Sequence, residues 1–138
     1  MRPLKNFLKV PKNDKVLVIL KPGFSHLMST VCNMFIQHEY KITYTRTKQL
    51  LLSEAKDLYK VHKKEKFYKS LCEYMSSDIT TAFILEKDSK NIYKEFAKLK
   101  DEIREKYGES DMRNVLHSSD SYESFVHESG VYFFIPNL

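Results

Sequence analysis

The sequence predicts an α+β fold of the ferredoxin-like sandwich type, a four-stranded antiparallel sheet packed with helices, and three observations carry that prediction. Val16-Leu17-Val18-Ile19-Leu20 is an unbroken β-branched and aliphatic run, the mark of a central strand covered on both faces. Segments with strand and helix periodicity alternate along the chain in the order β-α-β-(αα)-β-α-(α)-β. The 138 residues, 42% hydrophobic and 30% charged with only 3 Gly and 4 Pro, suit one hydrophobic core rather than a loop-rich or disordered chain.

Residues 1–14, with Pro3 and Pro11, read as an N-terminal extension, and residues 15–138 as a single domain. The first strand stops at Lys21-Pro22-Gly23, a strong turn signal. From Ser25 to about His38, Leu27, Val31, Met34 and Phe35 recur at helical spacing. Residues 41–47 alternate, with Ile42 and Tyr44 expected on one face and Thr43 and Thr45 on the other, a second strand. Ser53 and Glu54 open a helical pair reaching about Met75, striped by Phe67, Leu71 and Met75. Residues 79–85 form the third strand. Asp88 or Ser89 is placed to cap the longest helix, in which Ile92, Phe96, Leu99, Ile103 and Tyr107 repeat. A short helix from about Ser121 to Glu128 and a last strand at 131–135 close the chain, with no internal repeat.

The formal charge of +5 comes from scattered lysines, densest at Lys60, Lys63, Lys64, Lys66 and Lys69. That run reads either as a solvated helix face or as a surface attracting phosphates. Cys32 and Cys72 lie in apolar helical patterns without metal-ligand spacing and read as free thiols in a reducing compartment, with a disulfide as the alternative. No stretch approaches the roughly 20 apolar residues of a membrane span. Residues 1–10 lack a signal-peptide core. The expectation is a soluble, cytoplasmic protein. His26, His38, His62 and His127 are too dispersed for a metal site, so no protein metal ligands are expected, and no Gly-rich phosphate loop is present.

The chemistry concentrates in Asn114-Val115-Leu116-His117-Ser118-Ser119-Asp120-Ser121. His117 follows an apolar pair and precedes short polar residues, Ser118, Ser119 and Asp120, able to cap the next helix, whose N-terminus favours anions. Glu128 lies late in that helix and can return to hold one ring nitrogen. A polar core or turn histidine is the plainer reading, yet imidazole is well suited to accept and release a phosphoryl group. Phosphoryl transfer otherwise asks mainly for positioning and fixed positive charge. Lys21 ends a rigid strand, and Arg113 and Asn114 precede the histidine. Arg104 sits late in the long helix, where a salt bridge to Glu102 or Glu105 is equally open. Tyr59 and Phe67 flank the lysine run as core residues or as rings able to stack on a base.

Two segments carry a family resemblance. Val18-Ile19-Leu20-Lys21-Pro22 resembles the strand-end "IKP" of nucleoside diphosphate kinases, and Arg113-Asn114-Val115-Leu116-His117-Ser118-Ser119-Asp120-Ser121 is similar to that family's "RNxxHGSDS" active-site segment. The resemblance runs in one register from Lys15 to Phe134. It implies that His117 is a phosphohistidine nucleophile held and assisted by Glu128 and Ser119. It further implies that Lys21, Tyr59, Arg104 and Asn114 contact phosphates and sugar and that Phe67 stacks on the base. The activity implied is ping-pong transfer of a γ-phosphate from a nucleoside triphosphate such as ATP to a diphosphate such as GDP, with Mg²⁺ carried by the nucleotide. A membrane and nucleic acid are not expected as partners.

Four departures from the family pattern stand out. Gly23 replaces the family's Asp after Lys-Pro, Ser118 replaces the Gly after the nucleophile, and Asp111 occupies a position often small and apolar near the base. The loop ahead of Arg104 is largely missing, and with it a phosphate-binding threonine; a family arginine earlier in that region has no clear match, and Lys94 or Lys98 would substitute for it only as a point charge. That loop also builds subunit contacts in the family's larger oligomers, so the expected homo-oligomer is a dimer rather than a hexamer. A catalytically weak or inactive nucleotide-binding or scaffold domain of the same fold is the rival reading, and a nucleic-acid-binding module using residues 60–69 a third.

Overall fold

The structure, a computed structural model, describes residues 13–134. Strand β1 (Lys15–Leu20) leads through a 3-10 turn (Ser25–Leu27) into helix α1 (Met28–Gln37) and strand β2 (Lys41–Gln49). Helix α2 (Leu52–Leu58), a second 3-10 turn (Lys60–His62) and helix α3 (Tyr68–Met75) form the helical pair, followed by strand β3 (Ile79–Glu86). Helix α4 (Ile92–Tyr107), strand β4 (Leu116–Ser118) and helix α5 (Tyr122–Tyr132) complete the described chain. The sheet is antiparallel throughout, in the order β2-β3-β1-β4. This is the predicted ferredoxin-like α+β class.

Strand β1 is central because its sequence suits no other place: Val16, Leu17, Val18, Ile19 and Leu20 are each at most 2% exposed. Phe83 of β3 meets Phe35 of α1 at 5.5 Å, and Phe96 of α4 lies 5.8 Å from Phe35 and 5.5 Å from Tyr40. These rings lock the two helices to the sheet through edge and tilted contacts that aromatic quadrupoles favour. Cys72 is buried, Cys32 half-buried, and both are free thiols.

The predicted last strand at 131–135 is corrected by the fold. Val131 and Tyr132 continue helix α5, because basic side chains of β2 satisfy that helix's final carbonyls. Lys48 Nζ donates to the Val131 carbonyl at 3.2 Å and Arg46 Nη1 to that of Tyr132 at 2.7 Å. The Tyr132 hydroxyl also hydrogen-bonds Thr80 Oγ1 at 2.6 Å inside the core. Ile135 lies outside the described residues. The fourth strand is instead the histidine segment, Leu116–Ser118, which covers the open side of β1.

Three smaller expectations also shift. A bulge between Ile42 and Tyr44 sets them against neighbouring residues of β3, Leu85 and Ile84, so they take opposite faces, and Tyr44 is 47% exposed. Helix α4 is capped by Asn91, whose Oδ1 accepts from Lys94 N at 3.3 Å, while Ser89 Oγ accepts from Asn91 N. Helix α5 is capped by Ser121, which accepts from Ser124 N at 3.1 Å, rather than by Ser118, Ser119 or Asp120. Of the expected extension, Asn13 and Asp14 already bond to the start of α4 and the loop before it: Ile92 N donates to the Asn13 carbonyl and Lys87 N to that of Asp14, each at 3.0 Å. Residues 1–12 lie outside the description. No described helix is long and apolar enough to cross a membrane.

The core predicts a measurable contrast. Phe96→Ala should cost about 3–5 kcal/mol of unfolding free energy in urea titrations, the usual range for a truncated buried ring. Val61→Ser, at an 81% exposed position, should stay within about 0.5 kcal/mol of wild type. Comparable losses for the two would contradict this core assignment.

Candidate active site

His117 is the middle residue of β4, paired with Ile19 of the central strand. Leu17 and Ser119 fix that register twice. Leu17 N donates to Ser119 Oγ, and Ser119 N donates to the Leu17 carbonyl, both at 2.9 Å. Among the described residues these are the hydrogen bonds of Ser119, which pins the strand carrying His117 and makes no hydrogen bond to the imidazole. Glu128, two turns into α5 and 8% exposed, turns back onto the sheet, where His117 Nε2 donates to its Oε1 at 2.5 Å. With Nε2 carrying the donated proton, the neutral ring keeps its lone pair on Nδ1.

The approach to His117 is strained. Val115 has φ +80°, an outlier for a β-branched residue. A γ-turn closes over it, Leu116 N donating to the Asn114 carbonyl at 3.0 Å, while Lys21 N donates to the Val115 carbonyl at 2.9 Å. Such conformations cost about 1–3 kcal/mol and persist where surroundings over-determine them. Here the turn brings Asn114 beside Lys21.

Lys21 is only 5% exposed, and its Nζ donates to Asn114 Oδ1 at 2.8 Å and to the Met112 carbonyl at 3.2 Å. Burial, followed by the positive charges of Arg104 and Lys100, lowers its pKa to about 7. Arg104 turns inward rather than pairing with Glu102 or Glu105: Nη2 donates to the Leu116 carbonyl at 2.8 Å, and its buried Nε has no hydrogen-bond partner among the described residues. Tyr59 packs edge-on against the His117 ring at 5.4 Å. Burial, reinforced by Glu128, pushes its phenol well above the ordinary value, and its buried hydroxyl is likewise unpartnered. Two buried donors without acceptors are costly to a fold, and polar groups left so are the exception in folded proteins.

Phe67 stands apart from the histidine, 45% exposed, in a cleft of about 360 Å³ shared with Lys21, Leu71, Asp111 and Met112. The lysines at 60, 63, 64, 66 and 69 around it are all exposed. The position after Lys-Pro is closed by Arg113. Gly23 has φ +89°, so glycine is favoured by the backbone, and a Cβ there would lie 2.7 Å from Nη2 at the end of the flexible Arg113 side chain. Arg113 itself is held by Glu109 at 3.2 Å and lies over the rings of Phe24 and Tyr74.

Sequence reasoning passed over one cation. Only five residues, Lys87 to Asn91, separate β3 from α4, and that helix runs through Arg104. Lys94 and Lys98 are exposed on it. The charge that bears on Lys21 and Arg104 is Lys100. Its signal was its spacing, four residues before Arg104 and so on the same helix face.

At the level of class, a ferredoxin-like sandwich carrying a carboxylate-backed imidazole beside clustered cations has the chemistry of a phosphotransferase. The sequence model of the family described as "Nucleoside diphosphate kinase" matches residues 14–136. The nucleoside diphosphate kinase of Chlorobaculum tepidum is 34% identical over 132 residues, covering 87% of this chain and 93% of that protein. That of Fervidobacterium nodosum is 31% identical, covering 87% and 88%. A crystal structure of the Aquifex aeolicus nucleoside diphosphate kinase superposes with a TM-score of 0.74 at 25% identity, covering 86% of this chain and 93% of that one. A family protein from Babesia bovis shares the fold, with a TM-score of 0.76 at 21% identity, covering 87% of this chain and 88% of that one. The chain belongs to the nucleoside diphosphate kinase family and is an enzyme of the phosphotransferase class.

The buried lysine gives a pH prediction. Between about 7 and its ordinary value of 10.5, Lys21 binds more protons in the unfolded chain than in the folded one. Its contribution to stability therefore rises with pH across that window. In urea unfolding, wild type should gain stability relative to Lys21→Met as pH increases through it, and a difference that stays constant would contradict the assignment.

Proposed function

We propose that this enzyme transfers the terminal phosphate between nucleoside tri- and diphosphates in two half-reactions through a phosphohistidine at His117. The single observation that carries the reading is the Nε2–Glu128 hydrogen bond at 2.5 Å, which leaves Nδ1 as the nucleophilic nitrogen. In the first half-reaction Nδ1 attacks the γ-phosphorus of a triphosphate such as ATP. The N–P bond forms, the bond from phosphorus to the β,γ-bridging oxygen breaks, and the diphosphate leaves with those electrons. Glu128 stabilises the positive charge that grows on the ring. In the second, a terminal oxygen of an acceptor diphosphate such as GDP attacks the same phosphorus and restores the free imidazole.

Lys21, Arg104 and Tyr59 serve the phosphates in this reading: two cations and one neutral donor, preorganised where negative charge moves. Asn114 holds the Lys21 ammonium and faces the sugar, and Phe67 supplies an open ring for the base. Stacking reads little of a base's identity, so broad base tolerance follows. Mg²⁺ fits this donor set as an ion held by the nucleotide's own oxygens. Around the phosphates the protein supplies cations, and among the described residues no group of three or more His, Cys, Asp or Glu is placed to hold a metal. Bound there, the ion would supply charge neutralisation across the phosphates.

The open edge of β2, with Tyr44 and Ile36 exposed beside it, supports assembly as a homodimer, and the short connection before α4 removes the loop on which a larger assembly would be built. Two free thiols support a reducing, cytoplasmic setting.

The test is incubation with ATP labelled on its γ-phosphate, then addition of GDP. Wild type should give an acid-labile, base-stable phosphoprotein whose label moves to GTP, and His117→Gln should do neither. Glu128→Gln should slow labelling by at least about 100-fold. Folded wild type that binds nucleotide and stays unlabelled would favour the non-catalytic scaffold instead.

A further inference from the structure

Lys100 rises from α4 one turn before Arg104, on the same face of the helix. It is half-buried, with Leu99 and Ile103 beside it in the core, and among the described residues its side chain has no hydrogen bond or ion pair. Lysines ordinarily extend their ammonium into water. This one keeps its charge close enough to act on Lys21 and Arg104. Asp101, Asp120 and Glu128 draw on it electrostatically, but none forms an ion pair with it. Glu128 is committed to His117, and Asp120 accepts from Ser124 Oγ at 2.8 Å.

Three basic side chains, Lys21 just after β1 and Lys100 and Arg104 on α4, thus lie within electrostatic reach of one another, and among the described residues no carboxylate forms an ion pair with any of them. The same place holds the unpartnered Arg104 Nε and Tyr59 hydroxyl. Mutual repulsion makes such a cluster unfavourable until an anion with several adjacent oxygens joins it. We propose that Lys100 is a phosphate-binding residue of the active site, reaching the polyphosphate tail from the helix because the short Lys87–Asn91 connection leaves no loop to do so. The inference rests on the nucleotide reading above and adds to it a named third cation. Lys94 and Lys98 are exposed, so the added charge comes from the helix face that carries Arg104.

Equilibrium binding separates this claim from the chemistry, because it needs no turnover. ADP and adenosine are titrated by calorimetry into full-length wild type, Lys100→Gln, Lys100→Arg and Lys98→Gln, each checked for an unchanged thermal melt. Lys100→Gln should bind ADP about 10-fold more weakly, as expected when one charge-assisted hydrogen bond is removed. It should bind adenosine as wild type does. Lys100→Arg should recover most of the ADP affinity, and Lys98→Gln should leave it unchanged. In turnover, Lys100→Gln should raise the KM for diphosphates more than it lowers kcat. Unchanged ADP affinity in Lys100→Gln, an equal weakening in Lys98→Gln, or wild type that prefers adenosine would overturn the proposal. Absent labelling of His117 with the ADP effects intact would strike the transfer reaction and leave Lys100 standing.

Discussion

Two hydrogen bonds between Leu17 and Ser119 hold a three-residue strand against the most deeply buried strand of the sheet, and the site is arranged from that pairing. A strand this short has little stability of its own. Its partner is rigid because all five residues from Val16 to Leu20 are buried on both faces. The pairing sets Leu116 opposite Leu20, which leaves Lys21 beside the turn at Val115 and Asn114. It also puts the Leu116 carbonyl where Arg104 reaches it. His117, Lys21 and Arg104 are therefore positioned from adjacent points of one backbone ladder.

That rigidity lets the site hold arrangements that a softer scaffold would relax. Val115 stays at positive φ with its carbonyl and both neighbours hydrogen-bonded, and Lys21 stays buried with an ammonium whose pKa has fallen to about 7. An anionic substrate bound beside it would favour the protonated lysine, and binding and proton uptake would then be coupled at neutral pH. The orphaned donors on Tyr59 and Arg104 belong to the same pattern of polar groups set in advance of a ligand.

Much of this was legible in the sequence because it is local. The β1 run, the Lys-Pro-Gly turn and the contiguous Asn114 to Ser121 segment each state their role within a few residues, and Glu128 follows by helix length. Gly23 was visible as a departure, but its reason was not. Only the fold shows its positive φ and the Arg113 guanidinium lying over it. The fourth strand was misplaced because three residues are too few for periodicity to reveal, while Val131 and Tyr132, read as the start of a last strand, continue a helix whose final carbonyls are held by Lys48 and Arg46, far away in sequence. Lys100 escaped notice because exposure of a helix lysine depends on which face packs, and Lys94 and Lys98 looked equivalent by composition.

The central claim is that Glu128 holds Nε2 so that Nδ1 does the chemistry, and the phosphorylated nitrogen can be read directly. Nitrogen–phosphorus correlation NMR on protein with ¹⁵N-labelled histidine, phosphorylated by ATP, should show phosphorus coupled to Nδ1 of His117, with Nε2 retaining its proton. Phosphorus on Nε2, or on any other residue, would contradict the account.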